Sequence, residues 1–261
     1  GVSRFERAPN EVRPSEIGTR VVSQAERVLA ETALVGEIAS AGKDPLAGPL
    51  RLGCIYTIAP YLLPRLVPLL KQRAPGMPLF IEENFTARLL EKLKSSELDV
   101  AVLALPAEEP GLVAQAVYDE RFRVLLPVGS RLCALKRISA EELLGDQLLL
   151  LGPGNCFRDQ VLDLCGRVEA GAGPHILEGS SLETIRHMVA SGVGVTVMPA
   201  SAVDGIDAGD PLLRVRPFAD PQPTRRVGLV WRSSFPSFQA IDVLSKAVLD
   251  ARLPGTRAVG R

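Results

Sequence analysis

Residues 50–73 read LRLGCIYTIAPYLLPRLVPLLKQR. The opening, Leu50–Tyr56, is apolar and suits a buried strand. From Pro60 to Arg73 the pattern is helical, with Pro64 early in the helix and Pro68 at a kink. The same grammar repeats downstream. Leu79–Glu83 reads as a strand, Thr86–Ser95 as a helix and Leu98–Leu105 as a further buried strand. Such alternation predicts a parallel sheet covered by helices.

The pattern continues to the end of the chain. Phe122–Pro127, Gln147–Leu151, Ile176–Glu178, Val195–Met198, Leu212–Pro217 and Arg226–Arg232 read as strands. Ser139–Leu144, Cys156 to about Val168, Ser181–Ala190 and Phe238–Ala251 read as helices. Ser181, followed by Glu183 and Thr184, suits a helix N-terminus. These are too many βα units for one small sheet. Two α/β lobes with a cleft between them fit the length. Ligands of such sheets sit outside the carboxyl ends of strands. Position alone therefore puts Thr57, Gly152–Cys156 and Gly194 near candidate sites.

The start of the chain is different. Gly1–Arg13 reads as an irregular basic turn around Phe5. Pro14 and Ser15 then open a helix. Ile17, Val21, Ala25, Val28, Thr32, Val35 and Ala39 recur at alternating spacings of three and four, a heptad-like stripe reaching about Ser40. Such a helix either packs on its own domain or dimerises. Ala41–Pro49, with its Gly and Pro residues, reads as a linker.

Composition narrows the function classes. Of the 261 residues, 46% are apolar and 23% charged, which excludes global disorder. Lys+Arg and Asp+Glu both total 30, so these residues lack the broad positive field of a DNA-binding module. No apolar run approaches the roughly 20 residues that span a bilayer. No signal core opens the chain, and a cytoplasmic location is expected. Four cysteines (Cys54, Cys133, Cys156, Cys165) are too few for a disulfide scaffold. With only His175 and His187, and no CxxC or HExxH, no metal site is expected. No Walker sequence, no strand-following GxGxxG and no GxSxG elbow occurs, so no cofactor is implied.

The informative chemistry lies in residues 152–165, GPGNCFRDQVLDLC. Cys156 follows a Gly/Pro turn where a helix begins, a setting that favours thiolate over thiol. Arg158, one turn on, is placed to add to this. Asp159 opposes it unless it pairs with that arginine or orients a substrate. Cys165 lies nine positions after Cys156. On an ideal helix that is about 13.5 Å and roughly 900° of rotation, the opposite face. A disulfide needs Cα atoms within about 7 Å, so bridging requires the helix to unwind. Spacing alone leaves two readings open: ordinary buried thiols, or a redox switch. Cys54 and Cys133 lie in or beside apolar runs and read as core thiols.

Several segments together resemble the peroxide-sensing branch of the LysR-type transcriptional regulators. Phe5-Glu6-Arg7 with Pro14–Gly18 is similar to that family's passage from DNA-binding wing to linker helix. Residues 48–53 resemble the start of its regulatory domain, and Thr57–Pro64 its first substrate loop. Cys156-Phe-Arg-Asp-Gln160 with Cys165 is the specific signature, supported by Ser181–Ala190 and Met198-Pro199-Ala200. The resemblance implies a periplasmic-binding-protein-like effector domain of two Rossmann-like lobes. It implies a wing remnant at 1–13, a linker helix at 14–47 and a regulatory domain at 48–261. Lobe I would take about 48–118 and 222–261, and lobe II about 119–221.

Roles follow from the same resemblance. Cys156 matches the peroxide-reactive cysteine and Cys165 its resolving partner. Thr57, Thr86, Asn155, Asp159 and Arg225 match the peroxide pocket, with Arg226 the alternative arginine. Asn155 stands where the family usually has histidine. Asparagine hydrogen-bonds but does not titrate near neutrality. The implied partners are hydrogen peroxide, promoter DNA through an N-terminal domain preceding Gly1, RNA polymerase, and a second copy in a homodimer or homotetramer. Three competing functions remain: a LysR-type regulator of a small organic effector, a two-lobed solute-binding protein, and a thiol peroxidase.

Overall fold

The computed structural model describes residues 5–8, 11–41, 46–143, 145–165, 176–206 and 209–259. Strands β1 (Phe5–Ala8) and β2 (Glu11–Pro14) pair antiparallel, so the expected irregular turn is a short ladder. Glu6, Arg7, Glu11 and Arg13 leave no apolar run there to read as a strand. Helix α1 (Glu16–Ala41) follows, and the Ser15 hydroxyl accepts the Gly18 N–H at 3.0 Å. This N-cap satisfies an orphan donor of the first turn. On the stripe, Ile17, Val21, Val28 and Val35 stay exposed.

The βα units then run in order: β3 (Leu50–Ile55), α2 (Ala59–Arg73), β4 (Leu79–Asn84), α3 (Thr86–Lys94), β5 (Val100–Leu105) and β6 (Leu112–Pro127). A 3-10 turn at Arg131–Ala134 leads to α4 (Ala140–Leu143), β7 (Leu148–Leu151), α5 (Cys156–Leu164) and β8 (Ile176–Gly179). Helix α6 (Leu182–Ala190), β9 (Val195–Pro199), α7 (Ala200–Val203) and β10 (Leu213–Pro217) come next. Strand β11 (Thr224–Arg232), α8 (Phe238–Asp250) and β12 (Thr256–Ala258) close the chain. The Ser181 cap holds as read: its hydroxyl accepts the Thr184 N–H at 3.1 Å.

The sheet is mixed, which corrects the expected parallel one. Its path is β4-β3-β5-β11-β6-β9-β7-β8, with β10 and β12 also on β6. Each end is parallel: β3 with β4 and β5, and β7 with β8 and β9. The middle is antiparallel, because β11 runs against β5 and β6, and β6 against β9. Periodicity reveals a strand but not its direction. Strand β6 also starts ten residues before the expected Phe122. Gln115 and Asp119-Glu120-Arg121 break the ten residues before Phe122 into apolar stretches of only three.

Two buried cores flank these crossing strands. One gathers Leu52, Leu66, Leu89, Val102, Leu229 and Leu244. The other gathers Phe122, Leu149, Phe157, Val161, Ile185 and Val197. Strand β6 serves both, with Tyr118 in the first and Phe122 in the second. The crossing is close-packed at Gly228, beside a bulge in the β11–β6 ladder. A Cβ there would lie 2.5 Å from the Gln115 carbonyl oxygen, so only glycine fits.

Candidate functional site around Cys156

Cys156 is the first residue of α5 and is half-buried. The preceding turn needs Gly154, whose φ is +90°, a region that side-chain-bearing residues rarely adopt. Asn155 occupies the helix N-cap position without capping it. Its amide instead donates to the Gly152 carbonyl at 3.0 Å, which stiffens the turn. The residues before α5 meet the loop after β3 and the start of α3. Together they line a cavity of about 10 Å³, formed by Ile55, Tyr56, Thr57, Asn84, Phe85, Thr86, Gly154, Asn155 and Cys156. That volume suits one water-sized molecule. The Thr86 hydroxyl is shielded from solvent and has no hydrogen-bond partner among the described residues.

Behind Thr57 lies a buried cation. The Arg225 Nη1 donates to Thr57 Oγ1 at 2.9 Å and Nη2 to the Thr57 carbonyl at 3.0 Å. Its Nε donates to Glu120 Oε2 at 2.8 Å, and both side chains of this ion pair are fully buried. Burial works against the Arg225 charge. Glu120, Tyr118 and Cys156 together outweigh it and raise the guanidinium above its ordinary pKa, Glu120 contributing most. The guanidinium also covers the Phe157 ring at 5.3 Å, within cation–π range.

The structure thus brings Thr57, Thr86, Asn155 and Cys156 around one cavity and sets Arg225 against Thr57. Arg226, the alternative arginine, is exposed and pairs with Asp119 at 2.8 Å. Asp159 is exposed on α5 and does not line the cavity, contrary to the expected polar-pocket position. Arg158 does not reinforce the thiol either. Its Nη1 donates to the Leu151 carbonyl and lies 2.7 Å from Glu178. The reason is the sheet: β8 places Glu178 opposite Leu150, within reach of the first turn of α5.

Sequence reading passed over Glu120. A signal was present: the acid doublet Asp119-Glu120 matches the arginine doublet Arg225-Arg226 in register across β6 and β11. It becomes visible only once those strands are known to pair.

All four cysteines are free thiols. Burial, then Glu83, pushes the Cys54 thiol far above its ordinary range. The Cys133 thiol donates to the Pro127 carbonyl at 3.3 Å. Cys165 is buried in the second core, and that burial raises its pKa. Cys156 packs against the first core. The Cys165 N–H donates to the Val161 carbonyl, so α5 is helical up to it. The two cysteines are therefore about 13.5 Å apart along the helix, out of bonding range.

Residues 43–252 match the family model for the LysR substrate binding domain. The chain belongs to the LysR family. Its fold is the two-lobed, periplasmic-binding-protein-like regulatory domain of that family. The LysR-family relatives it resembles share one theme. It is 35% identical over 259 residues to the DNA-binding transcriptional dual regulator OxyR of Escherichia coli, covering 98% of this chain and 83% of the relative. It is 38% identical over 234 residues to a probable hydrogen peroxide-inducible genes activator of Mycobacterium avium, covering 90% and 75%. Full-length OxyR of Pseudomonas aeruginosa, a cysteine-to-aspartate variant, superposes with TM-score 0.82 at 44% identity, covering 100% of this chain and 84% of that one. A cysteine-to-serine variant of Corynebacterium glutamicum OxyR with hydrogen peroxide bound has TM-score 0.74 at 29% identity, covering 96% and 79%.

Proposed function

We propose that this chain is the sensing part of a transcriptional regulator that detects hydrogen peroxide through Cys156. One observation carries the reading: a half-buried cysteine opens a helix beside a one-water-sized cavity lined by two threonines. A cavity of about 10 Å³ favours peroxide over an organic effector. Relatives named as peroxide-inducible activators support it.

The Cys156 thiolate attacks one peroxide oxygen, an S–O bond forms and the O–O bond breaks. The bonding pair leaves on the distal oxygen as hydroxide, which takes a proton and departs as water. Thr57 and Thr86 stabilise that developing charge, Arg225 acts through the Thr57 hydroxyl, and Asn155 orients the peroxide. Sulfur is oxidised to the sulfenic acid and peroxide is reduced. The Cys165 thiol then attacks the sulfenic sulfur, a disulfide forms, and a second water leaves. Closing about 13.5 Å requires α5 to unwind, so oxidation exchanges one local fold for another. Asp159, exposed in the reduced helix, enters the pocket only if that turn moves.

In this reading residues 1–13 belong to the wing of a DNA-binding module, 14–47 to a linker helix and 48–261 to the regulatory domain. Lobe I takes about 48–118 and 222–261, and lobe II about 119–221; the two buried cores support that division. Promoter DNA and RNA polymerase are the proposed partners, with α1 joining copies into a dimer or tetramer. The location is cytoplasmic, and the reaction runs once per reduction cycle rather than as enzymatic turnover. No helix among the described residues is long and apolar enough to cross a membrane. The test is intact-mass spectrometry after stoichiometric peroxide. Wild type is expected to show a Cys156–Cys165 crosslink and Cys165→Ser to stop at the sulfenic acid. A wild-type chain lacking the crosslink overturns the two-cysteine scheme.

A further inference from the structure

We infer that Glu120 is a positioning residue for the peroxide reaction, acting through Arg225; this rests on the proposed sensing role of Cys156. The carboxylate has no exposure to solvent, and its contacts divide between two tasks. Oε1 accepts the Ser201 N–H at the start of α7, at 3.0 Å. Oε2 accepts Arg225 Nε at 2.8 Å and lies 2.7 Å from Nη2. Glu120 is thereby fixed to the backbone on one side and holds the Nε edge of the guanidinium on the other. That leaves Nη1 directed at Thr57 Oγ1. The hydroxyl, already accepting from a cation, has its own proton left to donate, and Thr57 lines the cavity beside Cys156.

The chain of contacts is therefore Ser201, Glu120, Arg225, Thr57, cavity. It joins α7 in the second lobe to the loop after β3 in the first. Burial sharpens the requirement. A guanidinium without its carboxylate in this buried seam would turn toward whatever acceptor or water it could reach. The Thr57 hydroxyl would then lose its orienting donor, and the departing hydroxide its stabilisation.

Peroxide and alkylation rates separate this role from a merely structural one. Attack on peroxide needs donors for the leaving hydroxide; attack on iodoacetamide releases iodide and does not. In the full chain, Glu120→Gln is expected to slow Cys156 oxidation by peroxide by up to about a hundredfold, the scale of a misplaced catalytic group. Its iodoacetamide rate stays at the wild-type value, and Glu120→Asp recovers part of the peroxide rate. Equal losses with both reagents, or no loss with peroxide, overturn the inference. Should Glu120→Gln fail to fold, Ser201→Pro decides. It removes that N–H within the first turn of α7, where the lost donor breaks no intrahelical bond, and a loss of about fivefold is expected for one hydrogen bond. An unchanged peroxide rate in Ser201→Pro overturns the inference. A wild-type Cys156 that meets peroxide no faster than Cys133 does overturns the sensing reading itself, whatever the variants do.

Discussion

Adjacent arginines in one strand have opposite fates. Arg225 is enclosed with Glu120, Thr57 and the Phe157 ring, whereas Arg226 faces solvent beside Asp119. Alternation along β11 causes this, since neighbouring side chains leave a strand on opposite faces. Removing one member of a buried pair strands the other charge. Arg225→Met is therefore expected to lower unfolding free energy by about 3–5 kcal/mol, read by urea denaturation. Arg226→Met removes an exposed pair and is expected to leave the unfolding midpoint unchanged. Equal effects of the two would contradict the burial difference. Gly154 is the second sensitive residue. An alanine at its φ of +90° is expected to cost about 1–2 kcal/mol and to slow the peroxide reaction by displacing Asn155 and Cys156. Cysteine spacing was legible at this scale from sequence. The Glu120–Arg225 contact was not, because its partners lie 105 positions apart.

At the level of elements, the proposed switch lies in α5. It is short, running from Cys156 to Leu164, and its ends answer to different cores. Phe157 and Val161 bury one face in the second core, which holds the helix while the thiols are reduced. The disulfide cannot form on this helix, so stoichiometric peroxide is expected to reduce the far-ultraviolet helical signal along with the thiol count. In Cys165→Ser the sulfenic acid forms with the helix intact, and that signal should persist. Circular dichroism recorded beside thiol titration checks both outcomes. A crosslink that forms without loss of helix would refute the unwinding. Helices were the most legible elements in sequence, because their apolar positions and caps are local. The first half of β6 was not, because its acids are satisfied by strands and helices it does not adjoin in sequence.

Across the whole molecule, ionisable groups collect where the two cores meet. Tyr61, on α2, donates its hydroxyl to Glu183 Oε1 on α6 at 2.9 Å, linking the lobes. Burial, then Glu183, pushes its pKa far above the ordinary phenol value of 10.0. Burial and Glu120 do the same to Tyr118, and burial and Glu83 to Cys54. All three stay protonated in the folded chain at pH values where the unfolded chain releases protons. The native state then binds more protons, so stability falls as pH rises. Their contribution is complete below the unfolded thiol and phenol values of 9.0 and 10.0, and it declines above them. Urea midpoints should drop between pH 8 and pH 10.5, and Tyr61→Phe should lessen the drop; a flat profile would contradict the shared burial. The sequence by itself determined the βα units, the Ser181 cap and the nine-residue cysteine spacing, because each depends on side chains a few positions apart. Only the tertiary structure decided strand direction, the commitment of Arg158 to Glu178, and the choice of Arg225 over Arg226 beside Thr57. Those depend on β6 and β11 crossing between lobes, and pairing between distant strands leaves no local period to read.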